Sequence, residues 1–258
     1  MTLPSAGRFT ERILPLAGLG SLLLFWWVGT AWLGEPGPLR QAFSPDRCLA
    51  ELAKLLSSGA LLPHILASLK RVLVSLLFAV LVGVPVGILV GVSSRWDRAT
   101  SMVFQFVRMI SPLSWMPVAI MLFGIGDAPV YFLLTVAAVW PILLNTSAGV
   151  ASVEERWILL ARSMSATRWE TVLTVVAPAI LAHVLTGIRL AIGIIWIVLV
   201  PAEMLGVSSG LGYYILDTRD RLAYSELVAV ILLVGVIGYV LDLSARRIHQ
   251  AWIHRPVD

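Results

Sequence analysis

A few polar and charged side chains stand inside stretches of the sequence that are otherwise apolar. They are Arg108, Asn145, His183, Arg189 and Glu203. If these stretches cross a membrane, such groups face the interior of a helix bundle or an aqueous path, which makes them candidates for handling a charged solute. The chemistry open to them is ion binding and ion pairing.

Arg189 and Glu203 share one apolar run but favour different roles. Arg189 stands about 10 residues into the run, which is roughly 15 Å deep and close to the midplane of a bilayer. There it can attract an anion, or it can link helices by bonding carbonyl groups and a carboxylate; the sequence leaves both roles open. Glu203 lies near the outer end, where a carboxylate repels an anion, so a gate or a structural ion pair is favoured.

Motifs for nucleotide and hydrolytic chemistry are missing from the sequence. No G-x-x-x-x-G-K-[ST] occurs, and the only lysines, Lys54 and Lys70, do not follow a glycine-rich loop, so the chain cannot hold ATP in a P-loop. Its four histidines never form H-E-x-x-H, and no G-x-S-x-G appears. The sequence therefore predicts no cofactor bound by this chain and gives little support to an intramembrane hydrolase.

Composition indicates an all-α polytopic membrane protein. Of the 258 residues, 59% are hydrophobic and only 13% are charged, too apolar for one soluble core, and runs of about 20 apolar residues recur. The net charge of +4 comes from arginines spread among the polar loops, which disfavours a nucleic-acid partner. The single cysteine, Cys48, excludes a disulfide framework and is interpreted as an incidental small residue.

Six membrane spans are predicted. A signal peptide is disfavoured for the first because its apolar region is too long and no small-x-small cleavage site follows. Leucines at helical spacing in 45–58 predict an amphipathic helix on the outer membrane surface, where a membrane-impermeant maleimide is expected to reach Cys48. The segment 206–225 is too polar to span. The predicted spans are Ile13–Leu33, His64–Val92, Met102–Gly126, Val130–Gly149, Ala179–Leu205 and Glu226–Leu243.

The second predicted span carries two patterns. Gly83, Gly87 and Gly91 repeat every fourth residue, so one helix face can approach a neighbour closely, and packing within the subunit is favoured over a dimer seam. Lys70 and Arg71 lie near the outer end, where long side chains can extend to the membrane surface.

The third predicted span is interrupted by Pro112 and Pro117, and the polar segment 93–100 before it is predicted to be a loop. Broken helices are tolerated in membranes only where protein or a water-filled cavity satisfies the freed backbone groups. This span, which contains Arg108 and Trp115, is therefore a candidate lining for a solute pathway.

The segment 152–178 is the longest central stretch that is neither apolar nor turn-like. Trp157, Ala161 and Met164 recur at i, i+4 and i+7, which predicts a short amphipathic helix. With six spans and both ends inside, the inner segments hold ten arginines and the outer segments five basic residues. This bias places the central loop in the cytoplasm.

The spacing in this loop resembles the cytoplasmic motif of ABC importer permeases: Glu-Ala-Ala, three residues, Gly, nine residues, Ile, one residue, Leu-Pro. Its second Ala falls on Ala161 and its Pro on Pro178, while Leu159 and Leu160 replace the Glu and first Ala, and Ser165 replaces the Gly. The segments ARSMSATRW and PAEMLGVSSGLGY also resemble the nitrate, sulfonate, taurine and bicarbonate branch of this family.

The resemblance implies a type I ABC importer permease fold, with an N-terminal part over 1–62, a core over 63–258 and a coupling loop over 150–178. It implies a homodimer in the bacterial inner membrane with both termini cytoplasmic, ATPase subunits that bind ATP and Mg²⁺, and a periplasmic or lipid-anchored binding protein. The implied solute is a small anion, nitrate or a related one. The implied coupling residues are Glu155, Leu159, Ala161, Arg162, Ser165, Ala166, Arg168 and Pro178; the candidate pathway residues are Arg108, Trp115, Asn145, Arg189 and Glu203.

The alternative is a gradient-driven secondary transporter or channel. It requires an inverted repeat and carboxylates at mid-membrane, and neither is apparent in the sequence.

Overall fold

The computed structural model describes residues 6–32 and 42–253, and helices dominate them. In chain order they are α1 (Ala6–Trp32), α2 (Pro45–Ser57), α3 (Leu62–Gly91), α4 (Ser94–Met109), a 3₁₀ turn (Pro112–Trp115), α5 (Met116–Phe123), α6 (Asp127–Ala151), α7 (Glu155–Ser163), α8 (Arg168–Thr171), a π-helical turn (Val172–Val176), α9 (Ala177–Gly206), α10 (Leu211–Asp220) and α11 (Tyr224–Ile253).

The chain forms two compact units. One comprises 1–61 with 215–233, and the other comprises 62–214 with 234–258. The predicted division into 1–62 and 63–258 stays a prediction. The larger unit has its core where α6 packs between α3 and α9, around Leu133, Leu134, Ile142 and Ile195.

Glycines set the distance between α3 and α6. A Cβ on Gly87 would lie 2.7 Å from the Leu143 carbonyl oxygen, and one on Gly91 would lie 2.6 Å from the Val150 Cβ. Neither distance is compatible with a side chain, so the two backbones approach as closely as only glycine allows. The prediction that this stripe packs within the subunit is confirmed.

Fewer helices than the six predicted are long and apolar enough to span a membrane among the described residues. Among the described residues four helices qualify: α3, α6, the continuous helix Arg168–Gly206, and α11 over Tyr224–Trp252. A fifth span is possible if the pair α4 and α5, bent by 82°, counts as one. Within α1, Gly20–Thr30 is an apolar stretch shorter than a membrane span. Leu33, the end of the predicted first span, lies outside the described residues.

The predicted loop over 93–100 is wrong, because the chain is helical from Ser94 onward. These residues contain neither Gly nor Pro, and Asp97 stands in the first turn, where a carboxylate interacts favourably with the helix dipole. They form the polar start of an amphipathic helix. The predicted break after it is present: Ile110 is extended and Pro112 begins the 3₁₀ turn, whereas Pro117 stands in the first turn of α5 and interrupts nothing.

Pro178 is the second residue of α9, in the first turn, where its missing N–H is tolerated. It lies inside the continuous helix that runs from Arg168 to Gly206, just after the π-helical turn Val172–Val176. A proline removes one backbone donor and crowds the preceding turn. A local change of helical pitch is a common way to accommodate this.

The smaller unit contains α2, which agrees with the predicted helix over 45–58. The indole nitrogen of Trp26 donates to the Phe43 carbonyl oxygen at 3.2 Å, and the Ser225 hydroxyl donates to the Ala42 carbonyl oxygen at 2.8 Å. Cys48 is fully buried, with its sulfur 3.5 Å from the same Ala42 oxygen. The expectation that a maleimide reaches Cys48 is therefore wrong for the folded protein.

Burial also makes the Cys48 thiol unreactive, which predicts its pH dependence. Burial raises its pKa from 9.0 to about 11, with a smaller contribution from the Asp46 carboxylate. Because the thiolate is the reactive species, we expect maleimide labelling at pH 8 to be roughly 100-fold slower than for an exposed thiol. The rate should keep rising as the pH approaches 11. The matched control is the double variant Cys48→Ser and Ser57→Cys, which moves the thiol to the exposed face of α2. Equal labelling rates for Cys48 in the unmodified protein and for the thiol at position 57 would contradict the burial of Cys48.

Candidate functional site

A buried charged cluster joins the end of α9 to α3 and α6. Its centre is Arg71, whose side chain is 2% exposed. The guanidinium bonds the Glu203 carboxylate at 2.6 Å through Nη1 and the Asp127 carboxylate at 3.0 Å and 2.7 Å through Nε and Nη2. Nη1 and Nη2 also donate to the carbonyl and hydroxyl oxygens of Ser209. All five N–H donors of Arg71 therefore have acceptors.

Glu203 is equally well satisfied. It is fully buried, and its two oxygens accept from Arg71, from the Ser68 hydroxyl at 2.8 Å and 2.9 Å, and from the Gly212 backbone N–H at 2.9 Å. The Ser68 hydroxyl in turn accepts from the Leu211 N–H at 2.9 Å. A buried ion pair compensates its desolvation only when its remaining donors and acceptors are bonded, and this one meets that condition.

The loop after α9 is held against this cluster. Gly210 has φ of +117°, and a Cβ there would lie 2.5 Å from Arg71 Nη1 and collide with the Glu203 carboxyl carbon. Its N–H donates to His64 Nδ1 at 3.2 Å. A Cβ on Gly212 would collide with the Val200 carbonyl oxygen. The two glycines of the Gly-Leu-Gly sequence thus let the chain pass directly over the buried charges.

Arg71 does not extend to the membrane surface as predicted; only its neighbour Lys70 is exposed. One signal in the sequence marks the difference. Ser68, Arg71 and Ser75 recur at i, i+3 and i+7 in an otherwise apolar helix, and all three are buried. A polar stripe with this period indicates a face that packs against polar partners.

Arg189 lies on the face of α9 that meets α11. Its Nε is 3.5 Å from Asp242 Oδ1, and Asp242 is held more closely by Arg246 at 2.7 Å. Further along, the Thr186 hydroxyl and His249 Nε2 are 2.9 Å apart, and Trp196 donates to the Val234 carbonyl oxygen. Arg189 therefore has a carboxylate partner, although it is about one-third exposed.

The other predicted pathway residues lie in different surroundings. Arg108 is exposed and borders two cavities of about 610 Å³ and 290 Å³. Trp115 packs against the core of the larger unit, and the Asn145 amide donates to the Pro141 carbonyl oxygen at 2.8 Å. His183 packs on Gly149, and its Nδ1 is the one buried side-chain nitrogen or oxygen that lacks a hydrogen bond among the described residues. Neither cavity is bordered by Trp115, Asn145, Arg189 or Glu203.

The predicted amphipathic helix in the central loop is present as α7. It begins at Glu155, and Arg162 lies in its last turn. Of the predicted stripe only Ala161 is buried, whereas Trp157 and Met164 are 50% and 76% exposed. The apolar face of this helix is therefore largely uncovered by its own chain.

A tight turn follows α7. Ser165 has φ of 61°, the left-handed region that favours glycine, and this is the position at which the resembling motif has Gly. The Ala166 N–H donates to the Ala161 carbonyl oxygen at 3.1 Å, which closes the helix end. Thr167 then begins α8 with a capping box: its hydroxyl accepts from the Glu170 N–H at 3.2 Å, and Glu170 accepts from the Thr167 N–H at 2.7 Å. Arg168 is the first residue of α8.

Comparison with solved structures defines the class of this fold. The chain is similar to a chain of the MetNI methionine ABC transporter in an inward-facing conformation, with a TM-score of 0.62 and 21% sequence identity over 74% of this chain and 95% of that chain. A second crystal form of the same transporter gives a TM-score of 0.63 at 20% identity over the same shares. The fold is thus that of a type I ABC importer permease.

Sequence comparison identifies the family. Residues 83–254 match the binding-protein-dependent transport system inner membrane component family, and the chain belongs to it. It is 34% identical to the bicarbonate transport system permease protein CmpB of Synechococcus elongatus, over 94% of this chain and 90% of that protein. It is 30% identical to the nitrate import permease protein NrtB of the same organism (91% and 86%) and 31% identical to the taurine transport system permease protein TauC of Escherichia coli (92% and 87%).

The chain is therefore a multi-pass inner membrane protein and the permease subunit of an ABC importer. Family membership decides against the gradient-driven carrier.

Proposed function

We propose that this permease moves a small anion into the cell, with nitrate as the first candidate and bicarbonate, sulfonates and taurine as the related ones. Relatives named for bicarbonate, nitrate and taurine support this range. In this proposal separate subunits bind ATP and Mg²⁺ and hydrolyse the ATP, and a periplasmic or lipid-anchored binding protein delivers the solute. The observation that carries the coupling to ATP is the exposed helix α7 and its closed turn.

The segment from Glu155 to Pro178 is the proposed contact with the ATPase. The side chains of Trp157, Leu159, Leu160 and Met164 are each at least half exposed, so burying them in a groove of a partner removes apolar surface from water. Arg162 and Arg168 flank the turn and supply charges at the rim. The left-handed Ser165 and the half-buried Ala166 keep the turn compact.

A second copy of the chain is the proposed partner within the membrane. Helix α4 has an exposed apolar face with Met102, Val103, Phe106 and Met109, which together present a large unpartnered surface. The arginine bias favours cytoplasmic termini and a cytoplasmic α7. On this topology the Arg71 cluster lies at the outer end of the larger unit.

The proposed pathway keeps the five residues predicted from the sequence but separates their roles. Arg108 is the exposed cation beside both cavities. Trp115 packs against the core next to the broken segment, and Asn145 bonds the Pro141 carbonyl oxygen within α6. Arg189 supplies a second cation, partly neutralised by Asp242. Glu203 is the fixed outer boundary, because its charge is fully committed to Arg71.

Reconstituted vesicles test this function. We expect nitrate to accumulate only when the permease, its ATPase subunits, ATP on the cytoplasmic side and the binding protein on the other side are all present. Accumulation driven by an ion gradient without ATP would contradict the proposal.

The same vesicles separate the two roles of Arg189. If it attracts the solute, Arg189→Gln reduces uptake about tenfold or more while the complex still assembles, and Asp242→Asn, the matched control, leaves uptake near that of the unmodified protein. If it only links α9 to α11, both variants lower assembly to a similar degree. The second pattern would remove Arg189 from the pathway.

A further inference from the structure

The two cavities beside Arg108 differ in their linings. The larger one, of about 610 Å³, is bordered by Asp97, Ser101, Gln105 and Ser147 as well as Arg108. The smaller one, of about 290 Å³, has walls from Val136, Ala137, Ile194 and Val198. Arg108 and Leu144 border both, so a polar cavity and an apolar chamber meet at one guanidinium.

Two donors at the smaller chamber lack acceptors. Arg108 has no ion pair or hydrogen bond within the described part of the chain, and the Trp140 indole N–H likewise has no acceptor there. Trp140 is held in place by its ring contact with Phe104, at a centroid distance of 5.6 Å. These are the only side chains bordering the chamber that can donate a hydrogen bond, and none of its side chains is an acceptor.

We infer that this chamber selects a weakly hydrated monovalent anion that carries neither a hydrogen-bond donor nor a cationic group. The inference rests on the proposed function and specifies its solute. A planar guanidinium pairs in two bonds with two oxygens of a planar oxyanion, and the indole N–H can donate to the third. The apolar walls displace part of the solute's water without offering polar groups, which suits an anion that loses little on leaving water.

The other solutes of the proposed range fit the chamber less well. Bicarbonate carries an O–H donor, and no side chain that borders the chamber can accept it, so this donor would have to keep its bond to water. Taurine carries an ammonium group, and no carboxylate borders the chamber. The carboxylate on α4 is Asp97, eleven residues from Arg108 and therefore about 16 Å away along the helix, too far for one taurine to bond both. Nitrate has neither group.

Thermal unfolding of the permease–ATPase complex in lipid nanodiscs tests this selectivity. The binding protein is left out, because its own preference among anions would otherwise contribute to the result. Sodium nitrate, sodium bicarbonate and taurine are compared at constant ionic strength set by sodium gluconate. We expect nitrate to raise the unfolding midpoint saturably, with bicarbonate and taurine requiring at least tenfold higher concentrations. Arg108→Gln should raise the half-saturating nitrate concentration at least tenfold and Trp140→Phe about threefold.

The matched control is Arg95→Gln, an exposed arginine of the same helix that borders neither cavity, and it should respond as the unmodified complex does. A response to bicarbonate or taurine equal to that for nitrate overturns the inference, as does an unchanged nitrate response in Arg108→Gln. Either of these results would still be compatible with the proposed import function if the reconstituted vesicles described above accumulate an anion when ATP is supplied. Loss of ATP-driven accumulation for every anion would instead remove the proposed function.

Discussion

Replacing Arg71 by methionine is expected to destabilise the permease strongly. The variant leaves Glu203 fully buried without its cation, and breaking a buried pair in this way costs about 3–5 kcal/mol. The folded-to-unfolded ratio then falls by roughly 100-fold or more, and the unfolding midpoint of the solubilised protein falls by about 10 °C. Asp127 contributes less to this cost because it is half exposed and can be hydrated.

Two further variants make this expectation specific to the cluster. Lys70→Met removes the exposed cation one residue earlier and should shift the midpoint by no more than about 1–2 °C. Adding Glu203→Gln to Arg71→Met removes the unpaired buried charge and should restore part of the lost stability, which is the coupling that a double-mutant cycle measures. Strict additivity of the two changes would show that Arg71 and Glu203 do not stabilise one another.

Replacing Ala166 by glutamate is expected to abolish coupling to the ATPase. Ala166 is half buried in the turn that follows α7, and its N–H closes the helix on Ala161. A longer, charged side chain there would both clash with a closely docked partner and lose water without gaining a counter-ion. We expect the variant to insert normally but to lose most of the solute-stimulated ATP hydrolysis. Uptake of the solute by the vesicles should fall roughly 100-fold.

Two controls accompany this variant. Ala251→Glu adds the same charge at an exposed position near the end of α11 and should retain uptake, and Ala166→Ser should retain it because serine fits a small contact. Co-purification with the ATPase subunits distinguishes loss of docking from loss of folding. Normal uptake by Ala166→Glu would show that this turn is not the contact.

Features that depend on residues close together in the sequence could be predicted from it, whereas features that depend on distant residues could not. The glycine stripe of α3 and the helix α7 were predictable because residue spacing along one helix determines both. Ser165 occupies a left-handed conformation at a motif position that usually has Gly, so the motif register alone located the turn. The start of α4 was missed because a polar first turn and a polar loop have the same composition.

The Arg71 cluster could not be predicted because its partners are distant in sequence. Asp127 is 56 residues away from Arg71 and Glu203 is 132 residues away, and only the packing of α3 against the rest of the core brings them together. The sequence marked Glu203 as costly in a membrane but did not identify its counter-ion. The polar stripe on α3 indicated a buried face without indicating what covers it.

The helix that contains the π-helical turn before Pro178 is continuous, and this continuity has a mechanical consequence. From Arg168 to Gly206 the chain runs for 39 residues, about 58 Å at the usual rise, without an intervening loop. One end adjoins the capped turn at Thr167 and the other carries Glu203. A displacement along the helix axis at Thr167 must therefore either move Glu203 and the loop bound to it or be absorbed at Val172–Val176, where the backbone hydrogen bonding changes. The stiffness of these five residues therefore limits how much of a displacement at Thr167 reaches Glu203.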